Sequence, residues 1–136
     1  DDGRAERVIN GVARNVNGQV NCWKSASREE PQTLTLKLFE EREVRQVRLT
    51  FDTDLSHEIQ PSMIKNVRDR QVKGLPRELV KDYRVSLLLD GNVVGTREVR
   101  GNGQRLNVLD FDGGNVTRCR LRLSPPMDAI MRAFLK

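Results

Sequence analysis

Apolar residues fall at every second position in one stretch of this chain after another. Leu34, Leu36 and Leu38 alternate with Thr35 and Lys37, and Val47, Leu49 and Phe51 alternate with Arg48 and Thr50. Val85, Leu87 and Leu89 keep the same period, and Cys119, Leu121 and Leu123 alternate with Arg118, Arg120 and Arg122. Successive strand side chains point to opposite faces, so a period of two marks a strand with one face buried. With Val93, Val94 and Val99 around Gly95, and Leu106 and Val108 beyond, at least six strands are expected.

The turns agree with the strands. Asp90-Gly91 separates "YRVSLLL" from "NVVGTREV", and a type I′ hairpin needs positive φ at both central residues, which Asp-Gly tolerates. The two strands are expected as antiparallel neighbours. "RGNGQR" (100–105) and "DGGN" (112–115) are further glycine-rich turns. Many short strands without strand-helix alternation predict an all-β fold, an antiparallel β-sandwich or jelly roll.

Between Asp52 and Asp82 the rhythm breaks. The stretch is polar, contains Pro61 and Pro76, and has only weak helical periodicity. A long loop over about 52–82 with a helical turn is expected, and loops of that length in compact domains usually carry function. The final "PPMDAIMRAFLK" fits either a short helix after a proline start or a closing strand through Ile130 and Phe134. At 136 residues, one domain over 1–136 buries roughly two thirds of its unfolded surface. No run approaches the roughly 18 apolar residues that span a bilayer, so no membrane insertion is expected. The opening "DDGRAERV" has no hydrophobic leader core and reads as a mature or excised fragment of a larger protein.

The chemistry legible from residue types is sparse. The net charge is +5, from 24 Lys and Arg against 19 Asp and Glu, with both signs scattered, so a nucleic-acid partner is not indicated. Cys22 and Cys119 lack a CxxC spacing and partnering histidines, which excludes zinc. Cys119 is expected in the core, and a Cys22–Cys119 disulfide is the minority reading, favoured in an oxidising compartment. Asp52 and Asp54 share one side of a strand exit and are able to face one ligand, although a lone DxD more often caps a loop or is solvated. His57 is the only histidine, and no nucleophile-elbow pattern accompanies it, so no catalytic residue is expected here. Near it, Arg68, Arg70 and Lys73 form either a solvated basic loop or a clamp for a carboxylate, sulfate or phosphate. Trp23 is either a platform for a sugar ring or part of the core. The row Arg118, Arg120 and Arg122 is expected to pair across strands with Glu40, Glu41 or Glu43, or to guard a sheet edge. "GNVVGT" and "GNGQRL" lack the third glycine and the strand-to-helix setting of a dinucleotide fingerprint, so no cofactor is expected in this domain. Asn115-Val116-Thr117 is a glycosylation sequon.

In order, "VINGVARNVNGQVNCWKS", "LTLKLFEEREVRQVRLTFDTDL", "DYRVSLLLDGNVVGTREVRGNGQRLNVLDF" and "TRCRLRL" resemble the discoidin-type, galactose-binding-like module over most of the chain. "RLTFDTDL", the long loop and "LVKDYRVSLL" are similar to the C-terminal module of bacterial FAD-dependent oxidoreductases. The resemblance implies a galactose-binding-like sandwich acting as a noncatalytic accessory module. It would bind carbohydrate or dock on an upstream catalytic domain, with FAD held elsewhere in the parent. It is compatible with an extracytoplasmic bacterial location, periplasmic or secreted. Where many such modules hold calcium with an aspartate and a glutamate, this chain has Asn10 and Arg132, so no metal is expected at that place. In resembling modules the tryptophan at the position of Trp23 packs at the sandwich edge. The loops Asn21 to Ser25, Asp52 to Asp82 and Gly101 to Arg105 are the expected ligand surface, with Trp23, Asp52, Asp54, His57, Arg68, Arg70 and Asn102 as candidates. The alternatives are a docking patch using Met63, Ile64 and Leu75, and a polyanion surface on the arginine row, whose affinity would fall with salt.

Overall fold

The computed structural model describes residues 8–9, 17, 22–24, 29–51, 79–125 and 130–136. Among them lie eight strands: β1 (Trp23–Lys24), β2 (Gln32–Glu43), β3 (Gln46–Phe51), β4 (Asp82–Leu89), β5 (Asn92–Val99), β6 (Leu106–Asp110), β7 (Asn115–Ser124) and β8 (Ile130–Leu135). They form two four-stranded sheets, ordered β1-β8-β3-β6 and β2-β7-β4-β5. Every pairing is antiparallel. All the connections from β2 onward except the β4–β5 hairpin cross from one sheet to the other, the connectivity of a sandwich rather than a meander.

The alternating residues make the core. Leu34 and Leu36 of β2, Val47, Leu49 and Phe51 of β3, Tyr83, Val85 and Leu87 of β4, and Cys119, Leu121 and Leu123 of β7 are all buried in one cluster between the sheets. Phe51 and Tyr83, from opposite sheets, meet with ring centroids 5.2 Å apart at 58°, a tilted arrangement that aromatic quadrupoles favour. Cys119 is buried as its register predicts. No disulfide joins it to Cys22, which is also buried.

The hairpin is the type I′ turn that Asp90-Gly91 predicts, with φ of 48° and 85°. Thr117 locks it from β7, its hydroxyl accepting from the Asp90 amide at 3.1 Å and donating to the Leu88 carbonyl at 3.2 Å. The C-terminal alternative resolves as a strand, because Ile130–Leu135 pairs with β3 on one side and with β1 on the other.

β3 ends at Phe51 and β4 opens at Asp82; between them Leu79 and Val80 are in the core, while 52–78 lie outside the described residues. Two expectations are corrected. Leu88 rather than Leu89 is buried, yet it lies outside the core cluster, opposite Arg118 in a β4–β7 register that runs unbroken, while the bulge between Leu87 and Leu88 sets one extra residue, Val94, into β5. Most consequential is the arginine row. A second bulge lies between Lys37 and Arg42 of β2, so Arg118 faces Lys37, Arg120 faces Thr35 and Arg122 faces Thr33, and none faces Glu40, Glu41 or Glu43. Since β7 is an interior strand, the row guards no edge either.

Candidate ligand-binding site

Antiparallel registers gather one set of chain ends at one end of the sandwich. The pairs Lys24 with Ile130, Gln32 with Leu123, Asp82 with Ser124, Tyr83 with Val99, Thr50 with Leu106 and Phe51 with Met131 all lie there. The three loop regions singled out from the sequence are therefore joined to strands that end on the same side.

The 100–105 connection at this end is held by specific hydrogen bonds. Asn102, 6% exposed, donates from Nδ2 to the carbonyls of Val80 (2.9 Å) and Gln104 (3.0 Å), and its Oδ1 accepts from the Gln104 amide at 3.0 Å. The Asn102 amide reaches the Lys81 carbonyl at 2.8 Å. Asp82 Oδ1 accepts from the Gly101 amide at 2.8 Å, at a glycine whose φ of 64° suits a residue without Cβ. Asn107 Nδ2 adds a bond to the Gln104 carbonyl at 3.0 Å. The side-chain amide of Asn102 is thus spent on the backbone and fixes the loop. Trp23 is half-buried and packs against the core cluster from β1. Asp52, Asp54, His57, Arg68 and Arg70 lie outside the described residues, as do Lys73 and the apolar trio Met63, Ile64 and Leu75.

Beside this loop lies an open depression of about 450 Å³, lined by Pro31, Asp82, Arg84, Glu98, Arg100 and Arg122 among others. Glu98 organises it. Arg84 donates to Glu98 Oε2 from Nη2 (2.7 Å) and Nε (3.2 Å), and Arg100 donates to Oε1 from Nε (2.8 Å), with its Nη2 also 2.8 Å away. The hydrogen bond from Arg84, then that from Arg100, and the two positive charges hold the Glu98 carboxyl below the usual carboxylate range. The two guanidiniums keep 52% and 81% of their side-chain surface in solvent, so their remaining N–H groups are open to a ligand. Such donors, set between carboxylates, suit hydroxyl groups and anions. Among the described residues no group of three or more His, Cys, Asp or Glu is placed to hold a metal ion.

The sequence did not show this cluster, although a signal was present. Counting outward from the Asp90-Gly91 turn puts Arg84 opposite Arg97. The bulge shifts the register so that Glu98 comes opposite instead, and Gly95, pairing with Leu87 at that bulge, marks the place.

The two four-stranded antiparallel sheets and their connections make this a galactose-binding-like β-sandwich, as comparison with solved structures bears out. Chitosan-binding module 1 of a chitosanase/glucanase from Paenibacillus sp. IK-5 superposes with a TM-score of 0.67 at 13% identity, over 98% of this chain and 84% of that one. A family 32 carbohydrate-binding module from Streptococcus pneumoniae EndoD gives 0.68 at 18% identity, over 98% and 84%. The lectin domain of Lectinolysin, solved with Lewis B antigen, gives 0.68 at 14% over the same shares. No protein-family model matches the chain, and no curated protein matches it in sequence.

Proposed function

We propose that this domain is a noncatalytic carbohydrate-binding accessory module of a larger enzyme, and that it takes sugar at the loop-bearing end of the sandwich. The observation that carries this reading is the open polar depression beside a loop pinned by Asn102, on a fold shared with modules described as binding chitosan and Lewis B antigen. Sugar hydroxyls need donors and acceptors already in place, and Arg84, Arg100 and Glu98 are held in a fixed arrangement before any ligand arrives. An amide-resolved NMR titration with neutral and acidic oligosaccharides at two salt concentrations tests it. Saturable shifts at Asp82, Arg84, Arg100 and Gly101 are expected. A spectrum unmoved at millimolar sugar would remove the reading for the sugars used.

A second reading is docking on the parent's catalytic domain, favoured by Leu106 and Val108, which stand 53% and 43% exposed on the edge strand β6. For the parent itself, the similarity of "RLTFDTDL" and "LVKDYRVSLL" to a module of FAD-dependent oxidoreductases makes a flavoenzyme the first candidate, in an extracytoplasmic compartment, with FAD bound outside this domain. A GxGxxG after a strand in the rest of the parent, with an acidic residue about 20 positions on, is the signature to look for.

A further inference from the structure

The outer face of the β2-β7-β4-β5 sheet is built in rows across the strands. One row runs Thr33, Arg122, Arg84, Glu98; the next Thr35, Arg120, Ser86, Thr96; the third Lys37, Arg118, Leu88. Arg118, Arg120 and Arg122 are exposed, at alternate positions of an interior strand, hence about 6.7 Å apart and spanning roughly 13 Å. Among the described residues no ion pair or hydrogen bond engages the side chains of Lys37, Arg118, Arg120 or Arg122. Lys37 stands directly opposite Arg118, and Arg84 directly opposite Arg122. Like charges facing each other across strands work against the sheet. Glu98 relieves only Arg84.

We propose that this face is a second binding surface, for a linear acidic polysaccharide laid along β7 and running into the depression at Arg122. The charge is complementary: a row of unpaired cations at strand spacing matches carboxylate or sulfate groups repeated along a chain. Thr33, Thr35, Ser86 and Thr96 stand between and beside the arginines, offering hydroxyls to the sugar hydroxyls between charges. The rows hold no aromatic ring, and Phe39, exposed on β2 two residues beyond Lys37, offers a single stacking face where single-stranded nucleic acid uses successive ones. The proposal rests on the carbohydrate reading above for its class of ligand, but it uses a different surface, which meets the depression only at Arg122.

Fluorescence anisotropy with labelled oligogalacturonate and heparin-derived oligosaccharides tests it, beside a neutral glucan of equal length and a single-stranded oligonucleotide. The variant is the double substitution Arg118→Thr and Arg120→Thr, which leaves the depression intact. Saturable binding of at least one acidic oligosaccharide is expected, falling steeply with added salt. The double variant should bind it about fivefold more weakly, while any neutral-glucan binding is unchanged. Should the double variant fail to fold by circular dichroism, Arg120→Thr alone carries the test, with Arg120→Lys expected to retain most of the affinity. No saturable acidic binding, undiminished affinity in the folded variant, or tighter binding of the oligonucleotide at equal salt would each overturn the proposal. Neutral binding without acidic binding defeats this surface alone. Acidic binding lost on Arg118 and Arg120 substitution, together with neutral sugars that leave the loop end unshifted, supports this surface and defeats the loop-end site.

Discussion

Replacing Tyr83 by phenylalanine should make the domain more stable. Tyr83 is 2% exposed, its ring rests on Phe51, and its hydroxyl has no hydrogen-bond partner among the described residues. A buried hydroxyl stripped of water and left unpaired costs about 1–3 kcal/mol. Removing the oxygen recovers that cost and forfeits a few dispersion contacts worth some tenths of a kcal/mol. The Phe51 contact stays, so the net gain is about 1 kcal/mol. With an unfolding entropy of roughly 2.1 cal/mol/K per residue, that raises the Tm by about 3–4 °C. Urea unfolding should show a higher midpoint with an unchanged slope. Burial also pushes the phenol well above its ordinary pKa of 10.0. That contribution to stability is complete below pH 10 and is lost as pH rises further, because the unfolded phenol ionises while the folded one keeps its proton. The phenylalanine variant should lack this part of the alkaline loss. A midpoint at or below that of the parent chain would show that the hydroxyl is satisfied after all and refute the reasoning.

Cys119 gives a related alkaline signature. Burial pushes its thiol from 9.0 up to about 12, so between about pH 9 and 10 the unfolded chain binds fewer protons than the folded one, and stability falls by up to about 1.4 kcal/mol per pH unit. Cys119→Val should flatten that slope in urea titrations at several pH values. At acid pH the sign reverses for Glu98: its depressed carboxyl contributes stability above the ordinary glutamate range, lost as pH falls through the lowered value. Carboxyl NMR should place its midpoint below 4.5, and Arg84→Ala should raise it more than Arg100→Ala. Asn102→Ala leaves the buried Val80 carbonyl and the Gln104 amide without its side chain and should cost about 2 kcal/mol, more than Asn107→Ala. A loss within about 0.5 kcal/mol in urea unfolding would mean that the loop is not held there.

Much of the architecture was readable because strand periodicity is a local property. Leu34/Leu36, Val47/Leu49/Phe51 and Leu121/Leu123 announce their buried faces within a few residues, and Asp90-Gly91 announces its own turn through the φ values it tolerates. The class of fold follows from these pieces. The site was less legible. Trp23 packs on the core, Asn102 is consumed by backbone partners, and the cluster of Arg84, Glu98, Arg100 and Arg122 comes from three strands and the connection after β5.

The set of strands, their inward faces and the hairpin are written along the chain, because each depends on near neighbours. Which side chains face one another follows from strand pairing between distant segments. Two bulges, between Lys37 and Arg42 and between Leu87 and Leu88, each displace the register. In a sheet of period two, a shift of one residue exchanges every cross-strand partner beyond it. For that reason Arg84 meets Glu98 and Arg118 faces Lys37, while the unbroken β4–β7 register sets Arg122 opposite Arg84, on a surface that the alternation alone shows only as polar.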